Sequence, residues 1–311
     1  MDIVTYPDDP PPRWHNTVLA LGNFDGLHRG HMKIIDRVRQ RAGERAGTPA
    51  AMTFDPHPPR VLRPDKAPPL LMTREQKVEA LRRSGMQGMA FVRFTHELSL
   101  WDPEMFVRAV LVDWLHVAEV WVGANFLFGH QRAGTFTVLR SLGARYGFRA
   151  EKIDPIRYKD FVVSSTRIRR LVSEGRVDEA GALLGHRYFI DGTVVRGAGR
   201  GKGLGVPTAN VTTENDLVPP AGVYATYTTI GGHVRPSVTN IGLRPTFGDT
   251  AQPVIESHVL DFDRDLYDQR VRTSFVQRLR DERTFPDVDA LRAQIDADVR
   301  SARRLFRQVS L

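Results

Sequence analysis

The stretch Thr17-Val-Leu-Ala-Leu-Gly-Asn-Phe-Asp-Gly-Leu-His-Arg-Gly-His31 decides how the first half of this chain folds. It predicts a buried strand, a turn rich in glycine and the beginning of a helix. Backbone N–H groups at a helix N-terminus carry partial positive charge, and Gly22, Gly26 and Gly30 would let an anion approach the backbone closely. The stretch therefore predicts a phosphate-binding turn.

Two histidines stand at the end of this stretch. His28 and His31 are three residues apart, so they would share one face of the first helical turn. There they could hydrogen-bond to a triphosphate and stabilise the charge that builds on the α-phosphate and on the leaving pyrophosphate. The alternative is that both are ordinary surface or capping residues. Their position directly after a strand and a glycine turn favours a catalytic role.

The rest of the first half alternates short apolar runs with longer helical patterns. Asp102 before Pro103 is a good N-cap followed by a proline at the first helical position, and Gly147 is typical of a helix end. This alternation predicts an α/β domain with a parallel sheet and covering helices. We predict its strands at Thr17–Leu21, 50–54, 89–94, 119–123 and 148–153.

The second half has a different character. Two short helical patterns, at 166–173 and Val177–Leu184, precede a long region rich in Val, Thr, Tyr and Gly. Its alternating runs at Phe189–Val195, 223–230 and 254–260 predict an antiparallel sheet or small barrel. An apolar stripe from Val288 to Leu305 predicts a C-terminal helix that packs on the barrel.

Length and composition set further limits. A chain of 311 residues predicts two domains, and we place their boundary near Gly185, giving domains 1–185 and 186–311. No apolar run is long enough to cross a bilayer and the first residues do not resemble a signal peptide, so we expect a cytoplasmic protein. Zero cysteines exclude disulfides and thiolate metal sites, and the net charge of +8 favours anionic ligands.

A second basic and hydroxyl-rich segment, Val163-Ser-Ser-Thr-Arg-Ile-Arg169, follows a strand-like run and opens a helix. Hydroxyl groups and guanidinium groups are suited to phosphate oxygens. Alone the segment is a weak signal, because Ser and Thr are common N-caps. Together with the histidine motif it predicts a nucleotide site that includes Ser164, Ser165 and Thr166, with Arg169 as a catalytic residue beside His28 and His31.

The segment from Gly197 to Asn210, GAGRGKGLGVPTAN, predicts a second phosphate site. Its alternating glycines could close over phosphates, although a flexible hairpin loop is the plausible alternative. Thr208 and Asn210 change the balance, because a hydroxyl and an amide carbonyl are hard oxygen ligands suitable for Mg²⁺ beside a nucleotide. The candidate nucleotide-binding residues in its glycine-rich part are Gly199, Arg200, Gly201, Lys202 and Gly205.

Glu256 lies in the alternating run Val254-Ile-Glu-Ser-His-Val-Leu-Asp-Phe262. A carboxylate among apolar neighbours on a barrel strand could act as a general base for a hydroxyl nucleophile. From this run alone, an exposed strand carboxylate without a catalytic role is the preferred interpretation.

The motifs GNFDGLHRGH and VSSTRIRR resemble the adenylate-binding motifs of the nucleotidyltransferase superfamily, whose fold is Rossmann-like. They are similar in particular to those of bacterial bifunctional riboflavin kinase/FMN adenylyltransferases. The segments Phe54-Asp-Pro-His-Pro58 and Gly123-Ala-Asn-Phe-Leu-Phe-Gly129 are also similar to segments of that family. In the second half, GRGKGLGVPTAN, TNIGLRPTFG, IESHVLDF and LRDERTF follow the order of the riboflavin kinase signature.

The resemblance implies two ATP-dependent reactions, with riboflavin phosphorylated to FMN and FMN then adenylylated to FAD. It implies that Glu256 activates the terminal ribityl hydroxyl while Thr208 and Asn210 position Mg²⁺–ATP. Asn125 would contact the adenylylation nucleotide, in a position where many relatives have Asp. The other implied contacts are Gly22, Asn23, Phe24 and Gly30 with the nucleotide, and Phe54, Pro56, His57, Pro58, Phe128 and Arg280 with the flavin.

Two alternatives remain at this stage. One is a nucleotidyltransferase that acts on another phosphorylated metabolite, which would leave the second half unexplained. The other is a basic nucleic-acid-binding protein, but no dense basic stripe with interleaved aromatics is visible. We therefore expect small-molecule substrates, no nucleic-acid or membrane partner, and a monomer or weak homo-oligomer.

Overall fold

The computed structural model describes residues 1–196, 207–244 and 252–308. The chain forms two compact units. The first comprises Met1–Pro69 and Arg74–Ser164, and the second comprises Leu70–Thr73 and Ser165–Leu311. The short segment Leu70–Thr73 joins the second unit, where the Leu70 N–H donates to the Asp216 carboxylate at 2.9 Å. The domain boundary near Gly185 stays a prediction.

The first unit contains a parallel six-stranded sheet, as the sequence predicts. The predicted strands are all present, with small shifts of their ends. The first strand is absent from the prediction, because aspartates and prolines follow it at once and hide its short alternating pattern. Its strands are β1 (Asp2–Tyr6), β2 (Thr17–Leu21), β3 (Pro49–Asp55), β4 (Gly88–Arg93), β5 (Val117–Gly123) and β6 (Arg149–Ile153). A separate two-stranded sheet follows, formed by β7 (Arg157–Tyr158) and β8 (Phe161–Val162).

Helices cover this sheet, and β2 is buried along its whole length. Asp102 caps its helix as predicted, since its carboxylate accepts from the Met105 N–H at 2.8 Å, and Gly147 ends another in a left-handed conformation. The helices are α1 (Arg29–Glu44), α2 (Pro58–Leu62), α3 (Arg74–Arg83), α4 (His96–Ser99), α5 (Pro103–Phe106), which continues as a π-helix (Val107–Trp114), and α6 (Phe136–Tyr146).

The strand order β1-β4-β3-β2-β5-β6 places the functional turns. The chain leaves β2 towards β3 and β4 on one side, whereas β5 and β6 lie on the other side. The order therefore reverses between β2 and β5, and ligands of open parallel sheets bind outside the carboxyl ends of the strands at such a point. The turns that follow β2, β3 and β5 carry the residues predicted to bind nucleotide and flavin.

The second unit is a closed antiparallel barrel preceded by two helices and followed by one, in agreement with the predicted fold class. Its strand order is β10-β13-β12-β11-β14-β9. The elements are α7 (Ser165–Ser173), α8 (Val177–Leu184), β9 (Phe189–Val195), β10 (Ala209–Thr213), β11 (Gly222–Ile230), β12 (His233–Arg244), β13 (Gln252–Val259), β14 (Arg270–Arg280) and α9 (Val288–Gln308).

The C-terminal helix α9 packs on the outer face of the barrel, as its apolar stripe predicts. Its buried Ala302 lies in a cluster with the outward-facing side chains Val223, Tyr227 and Val238 of the strands. The barrel interior instead holds hydrogen-bonded hydroxyl groups from β11, β12 and β13. Polar residues of the outer face next to α9 therefore remain available for a site.

Candidate active sites

The turn after β2 has an unusual backbone. Phe24, Gly26 and Leu27 all adopt left-handed conformations, with φ of 47°, 85° and 40°. Phe24 is fully buried and Leu27 is 5% exposed, so packing holds both residues in this conformation. Successive backbone N–H groups in such turns form concave anion-binding surfaces, and α1 begins two residues later. The geometry agrees with a phosphate-binding turn.

His28 is the N-cap of α1, so the capping interpretation and the catalytic interpretation are compatible. Its Nδ1 accepts a hydrogen bond from the backbone N–H of His31 at 3.3 Å. The neutral ring therefore carries its proton on Nε2, which can donate to a phosphate oxygen. Gly30 permits this arrangement, because a Cβ at that position would lie 3.1 Å from the imidazole Cε1 of His28.

The two imidazoles stack directly on each other, with ring centroids 3.6 Å apart and planes inclined by 12°. Burial lowers the pKa of His28 to about 4. Burial also lowers the pKa of His31 well below its ordinary value, and the charges of His28 and Lys77 act in the same direction. Both rings are therefore neutral at pH 7, so each can donate one N–H hydrogen bond and neither carries a fixed positive charge.

Lys77 and Thr53 both donate hydrogen bonds to the turn after β2, and the sequence motifs include neither residue. The carbonyl oxygen of Asn23 accepts from the Lys77 ammonium at 2.8 Å and from the Thr53 hydroxyl at 3.1 Å. Lys77 lies on α3 and Thr53 lies on β3, so three separate elements meet at one carbonyl. A lysine and a threonine far from the motif give no local signal of this role.

The far end of α1 is fixed by a buried carboxylate. Glu119 of β5 is completely buried and accepts two hydrogen bonds from the Arg41 guanidinium, at 3.0 and 3.1 Å. Arg45 donates to it at 3.2 Å and the Trp121 indole donates at 2.7 Å. This cluster fixes α1 to the central sheet and with it the two histidines at the other end of the helix.

The turns after β3 and β5 carry the predicted flavin contacts. Phe54 and His57 are half-buried, and His57 precedes α2. Phe128 is only 5% exposed and packs against Phe106 and Phe126, so it belongs to an aromatic core cluster rather than to an open surface. Asn125 is exposed on the turn after β5. Pro56 is exposed and Pro58 is half-buried.

The hydroxyl-rich motif lies where the two compact units divide, since Ser164 ends the first and Ser165 opens the second. In the second unit, α7 begins at Ser165 and buries Ile168 on one face. Thr166 is exposed in the first turn and Arg169 is half-buried in the next. The predicted helix start is therefore confirmed, and the hydroxyl groups stand at its N-terminus.

In the barrel, strand register brings the predicted kinase residues together. Asn210 of β10 pairs directly with Glu256 of β13, and Glu256 in turn pairs with Asn240 of β12. Directly opposite residues of paired strands project from the same face. All three are half-buried and lie on the outer face, because Ser257 and Thr239 next to them point into the barrel. Asn240 lies in the segment TNIGLRPTFG, but only the register reveals that it stands beside Glu256.

Thr208 directly precedes β10, and the residue before it, Pro207, is hydrogen-bonded to His258 of β13. The imidazole Nδ1 of His258 lies 2.8 Å from the carbonyl oxygen of Pro207 and is the donor of that bond. Asn210 pairs with Glu256, and Thr208 lies two residues before Asn210 in the chain, so this part of the barrel supplies a hydroxyl, an amide carbonyl and a carboxylate, the hard oxygen ligands that suit Mg²⁺. Within 1–196, 207–244 and 252–308, no group of three or more His, Asp or Glu forms a metal centre by itself.

Arg280 has a partner that the sequence does not predict. Its guanidinium donates to both carboxylate oxygens of Asp298 on α9, at 2.9 to 3.1 Å, and Gln294 donates to the same carboxylate at 2.7 Å. The Arg280 guanidinium also lies 5.7 Å from the centre of the Phe285 ring. This residue therefore holds the segment after β14 against α9 rather than presenting a free charge.

The candidate nucleotide residues Gly199, Arg200, Gly201, Lys202 and Gly205 lie outside the described residues. Along the part of the chain that the structure describes, none of the helices combines the length and apolar character needed to span a membrane.

Two family models match the chain and together span most of it. The one described as FAD synthetase matches residues 11–167, and the one described as riboflavin kinase matches residues 184–306. The first match includes both the histidine motif and the start of α7. The second includes the row of Asn210, Glu256 and Asn240.

Curated relatives resemble the chain over nearly its whole length. A bifunctional riboflavin kinase/FMN adenylyltransferase of Pseudomonas fluorescens is 37% identical over 94% of each chain. The protein of the same description from Bacillus subtilis is 37% identical over 93% of this chain and 92% of its own. A solved structure described as a macrolide-efflux protein from Streptococcus pneumoniae is 26% identical, with a TM-score of 0.89 over 97% of this chain and 99% of that one.

Proposed function

The chain belongs to the family of bifunctional riboflavin kinases/FMN adenylyltransferases, and we propose that each of its two compact units carries one of the two reactions. As a member it phosphorylates riboflavin with ATP to give FMN and adenylylates FMN with a second ATP to give FAD. The observation that carries the proposal is the segregation of chemical groups. The paired histidines lie in the first unit, and Glu256 between two asparagines lies in the second.

In adenylyl transfer, an FMN phosphate oxygen bonds to the α-phosphorus of ATP and the bond to pyrophosphate breaks. The nucleophile is already an anion at neutral pH, so alignment and stabilisation of the leaving group are the main requirements. The turn after Gly22 and the N-terminus of α1 would supply backbone N–H groups, and His28 would supply its Nε2–H. We assign Gly22, Asn23, Phe24, Gly30, Asn125 and Ser164 of the first unit to the nucleotide. The nucleotide roles of Ser165 and Thr166 and the catalytic role of Arg169, which belong to the second unit, stay predictions from the sequence motif.

On the flavin side of this reaction we assign Phe54, Pro56, His57 and Pro58. These residues follow β3, beside the strand-order reversal where a second substrate would meet the nucleotide. Phe128 contributes through the aromatic cluster that it shares with Phe106 and Phe126.

In riboflavin phosphorylation the nucleophile is a neutral hydroxyl group, which needs a base. Glu256 takes the proton of the terminal ribityl hydroxyl while that oxygen bonds to the γ-phosphorus of ATP and ADP leaves. Asn210 and Asn240 flank Glu256 on neighbouring strands, and we assign Asn240 to orienting the carboxylate. Arg280 acts by positioning the segment after β14 through Asp298.

Thr208 and Asn210 would hold Mg²⁺ together with the ATP phosphates, and the bound cation would offset phosphate charge. The support is the donor set, which consists of a hydroxyl, an amide carbonyl and the neighbouring carboxylate. We expect that Thr208→Val raises the Mg²⁺ concentration needed for half-maximal riboflavin phosphorylation. An unchanged Mg²⁺ dependence would contradict this assignment. A cytoplasmic location, a monomeric or weakly associated state and the absence of a nucleic-acid partner stay predictions.

Chromatographic separation of flavins after incubation with ATP and Mg²⁺ tests the division of activities. The variant His28→Ala/His31→Ala is expected to accumulate FMN from riboflavin, with adenylylation reduced about 100- to 1000-fold. Glu256→Gln is expected to slow riboflavin phosphorylation about 100- to 10,000-fold and still convert supplied FMN to FAD.

Exposed residues of the same types serve as controls, namely His233→Ala and Glu214→Gln, and both are expected to retain the two activities. Loss of both reactions in both test variants would contradict the division of activities.

A further inference from the structure

We propose that Lys77 is a positioning residue for adenylyl transfer, which fixes the phosphate turn by its bond to the Asn23 carbonyl and links that turn to the end of β3. The inference rests on the proposed assignment of adenylyl transfer to the turn after β2. Neither the histidine motif nor the hydroxyl-rich motif includes Lys77, which lies one turn into α3.

The bond from Lys77 acts on the part of the turn where the backbone conformation changes. Asn23 is followed by Phe24, the first of three residues with positive φ. The Asn23 carbonyl accepts from the Lys77 ammonium at 2.8 Å and from the Thr53 hydroxyl at 3.1 Å. Two donors on one carbonyl restrict rotation of the peptide group that leads into Phe24. The N–H groups beyond it would therefore be held in place before ATP arrives.

The charge of Lys77 extends this link to the turn after β3. Burial lowers the pKa of the Lys77 ammonium, whereas the carboxylates of Asp25 and Asp55 raise it and Arg74 lowers it. Arg74 also binds Asp55 at 2.6 Å and lies over the Phe91 ring. Arg74 thus pairs with Asp55, the residue before Pro56, and the charge of the same carboxylate acts on Lys77. The ammonium interacts with both the nucleotide turn and the flavin-side turn.

Two substitutions distinguish a positioning role of these side chains from a packing role. Lys77→Met keeps a long unbranched side chain but removes the ammonium, and Thr53→Val keeps the shape of a side chain that is 1% exposed but removes the hydroxyl. Because both donors act on one carbonyl, their effects are expected to be coupled and not additive. Loss of positioning lowers kcat more than it raises KM, since the contacts of bound ATP remain available.

The test is steady-state FMN adenylylation by the full chain, with riboflavin phosphorylation measured on the same preparations. Lys77→Met is expected to lower kcat for FAD formation about 10- to 100-fold and to change KM for ATP by less than about threefold. Riboflavin phosphorylation is expected to stay within about twofold of wild type. Lys77→Arg, which keeps a cationic donor, is expected to restore most of the loss.

Thr53→Val is expected to cause a smaller loss of kcat, and the double variant is expected to be little worse than Lys77→Met alone. The control is Arg82→Met, which removes an exposed cation from the same helix and is expected to have no effect. Wild-type kcat in Lys77→Met would overturn the inference, as would strictly additive effects of the two substitutions or an equal loss of both activities.

The variant His28→Ala/His31→Ala separates this inference from the site assignment. If that variant still forms FAD at the wild-type rate, the assignment of the site itself fails. If it loses FAD formation while Lys77→Met retains the wild-type rate, only the role of Lys77 fails.

Discussion

Replacing Glu119 by glutamine removes one negative charge from the buried cluster that fixes α1 to the sheet. Burial alone would raise the pKa of the Glu119 carboxyl, but hydrogen bonds from Arg41 and Trp121 outweigh burial and hold that pKa below its ordinary value. The carboxylate is therefore ionised in the folded protein at neutral pH. The glutamine side chain has nearly the same shape, so the substitution tests the charge and not the packing.

The expected cost follows from the contacts. Removing one partner of a buried ion pair destabilises a protein by about 3–5 kcal/mol. Two features reduce that figure here. The side chains of Arg41 and Arg45 are 23% and 39% exposed, so water reaches both guanidinium groups, and Arg41 also keeps its bond to Glu44. We therefore expect a loss of about 2–3 kcal/mol, or about 5–10 °C in Tm for a unit of this size.

Tryptophan fluorescence during urea unfolding measures this loss in the first unit alone. The protein has four tryptophans, Trp14, Trp101, Trp114 and Trp121, and all lie in that unit. The matched control is Glu151→Gln on β6, whose partner Arg149 is 58% exposed, and we expect it to cost less than about 1 kcal/mol.

The pH dependence has a definite sign. A carboxyl whose pKa is depressed on folding stabilises the protein above its unfolded pKa of about 4.3, and the contribution disappears as the pH falls through the folded value. The difference between wild type and Glu119→Gln should therefore be constant near neutrality and shrink below about pH 4. Equal destabilisation by Glu119→Gln and by Glu151→Gln at pH 7 would refute the reasoning.

Three further outcomes follow from the two sites. Gly30→Ala places a Cβ 3.1 Å from the His28 ring. FAD formation from FMN should therefore fall about 10-fold while riboflavin phosphorylation stays unchanged. FAD formation at the wild-type rate would contradict the proposed geometry. Because the pKa of His28 is about 4, the pH profile of kcat/KM for adenylylation should show no inflection from this residue near pH 6.5. An inflection near pH 6.5 that His28→Gln abolishes would contradict the lowered pKa. Asp298→Asn weakens the bond to Arg280 and should destabilise the kinase unit by about 1–2 kcal/mol. The loss is measured as faster thermal inactivation of riboflavin phosphorylation. The control Asp261→Asn, which changes an exposed ion pair, should have little effect. Equal inactivation rates of the two aspartate variants would contradict that role of Asp298.

Much of the first site is visible in the sequence because its parts are local. The strand Thr17–Leu21, the glycine turn and the start of α1 follow one another within fifteen residues, and each has its own pattern. The structure adds what the motif does not show. His28 caps the helix through Nδ1 and stacks on His31, and burial lowers the pKa of both rings so that they are neutral at pH 7.

The structure adds most for residues whose environment depends on distant parts of the chain. Phe128 and Arg280 have the expected residue types, but the structure packs the first into an aromatic core and pairs the second with Asp298. The strand Asp2–Tyr6 has only a short alternating pattern of its own, and its hydrogen-bonding partner is β4, more than eighty residues away in sequence. Short-range patterns contain no information on such partners.

The sequence by itself determined the α/β and barrel classes, the order of the motifs and the chemical types of the functional groups, because periodicity and turn residues act over short distances. Only the tertiary structure decided that Lys77 and Thr53 meet at the Asn23 carbonyl and that Glu256 stands between Asn210 and Asn240. The physical reason is that strand register and helix packing are set by burial of the whole core. These contacts therefore depend on the entire fold and not on the residues next to them in the chain.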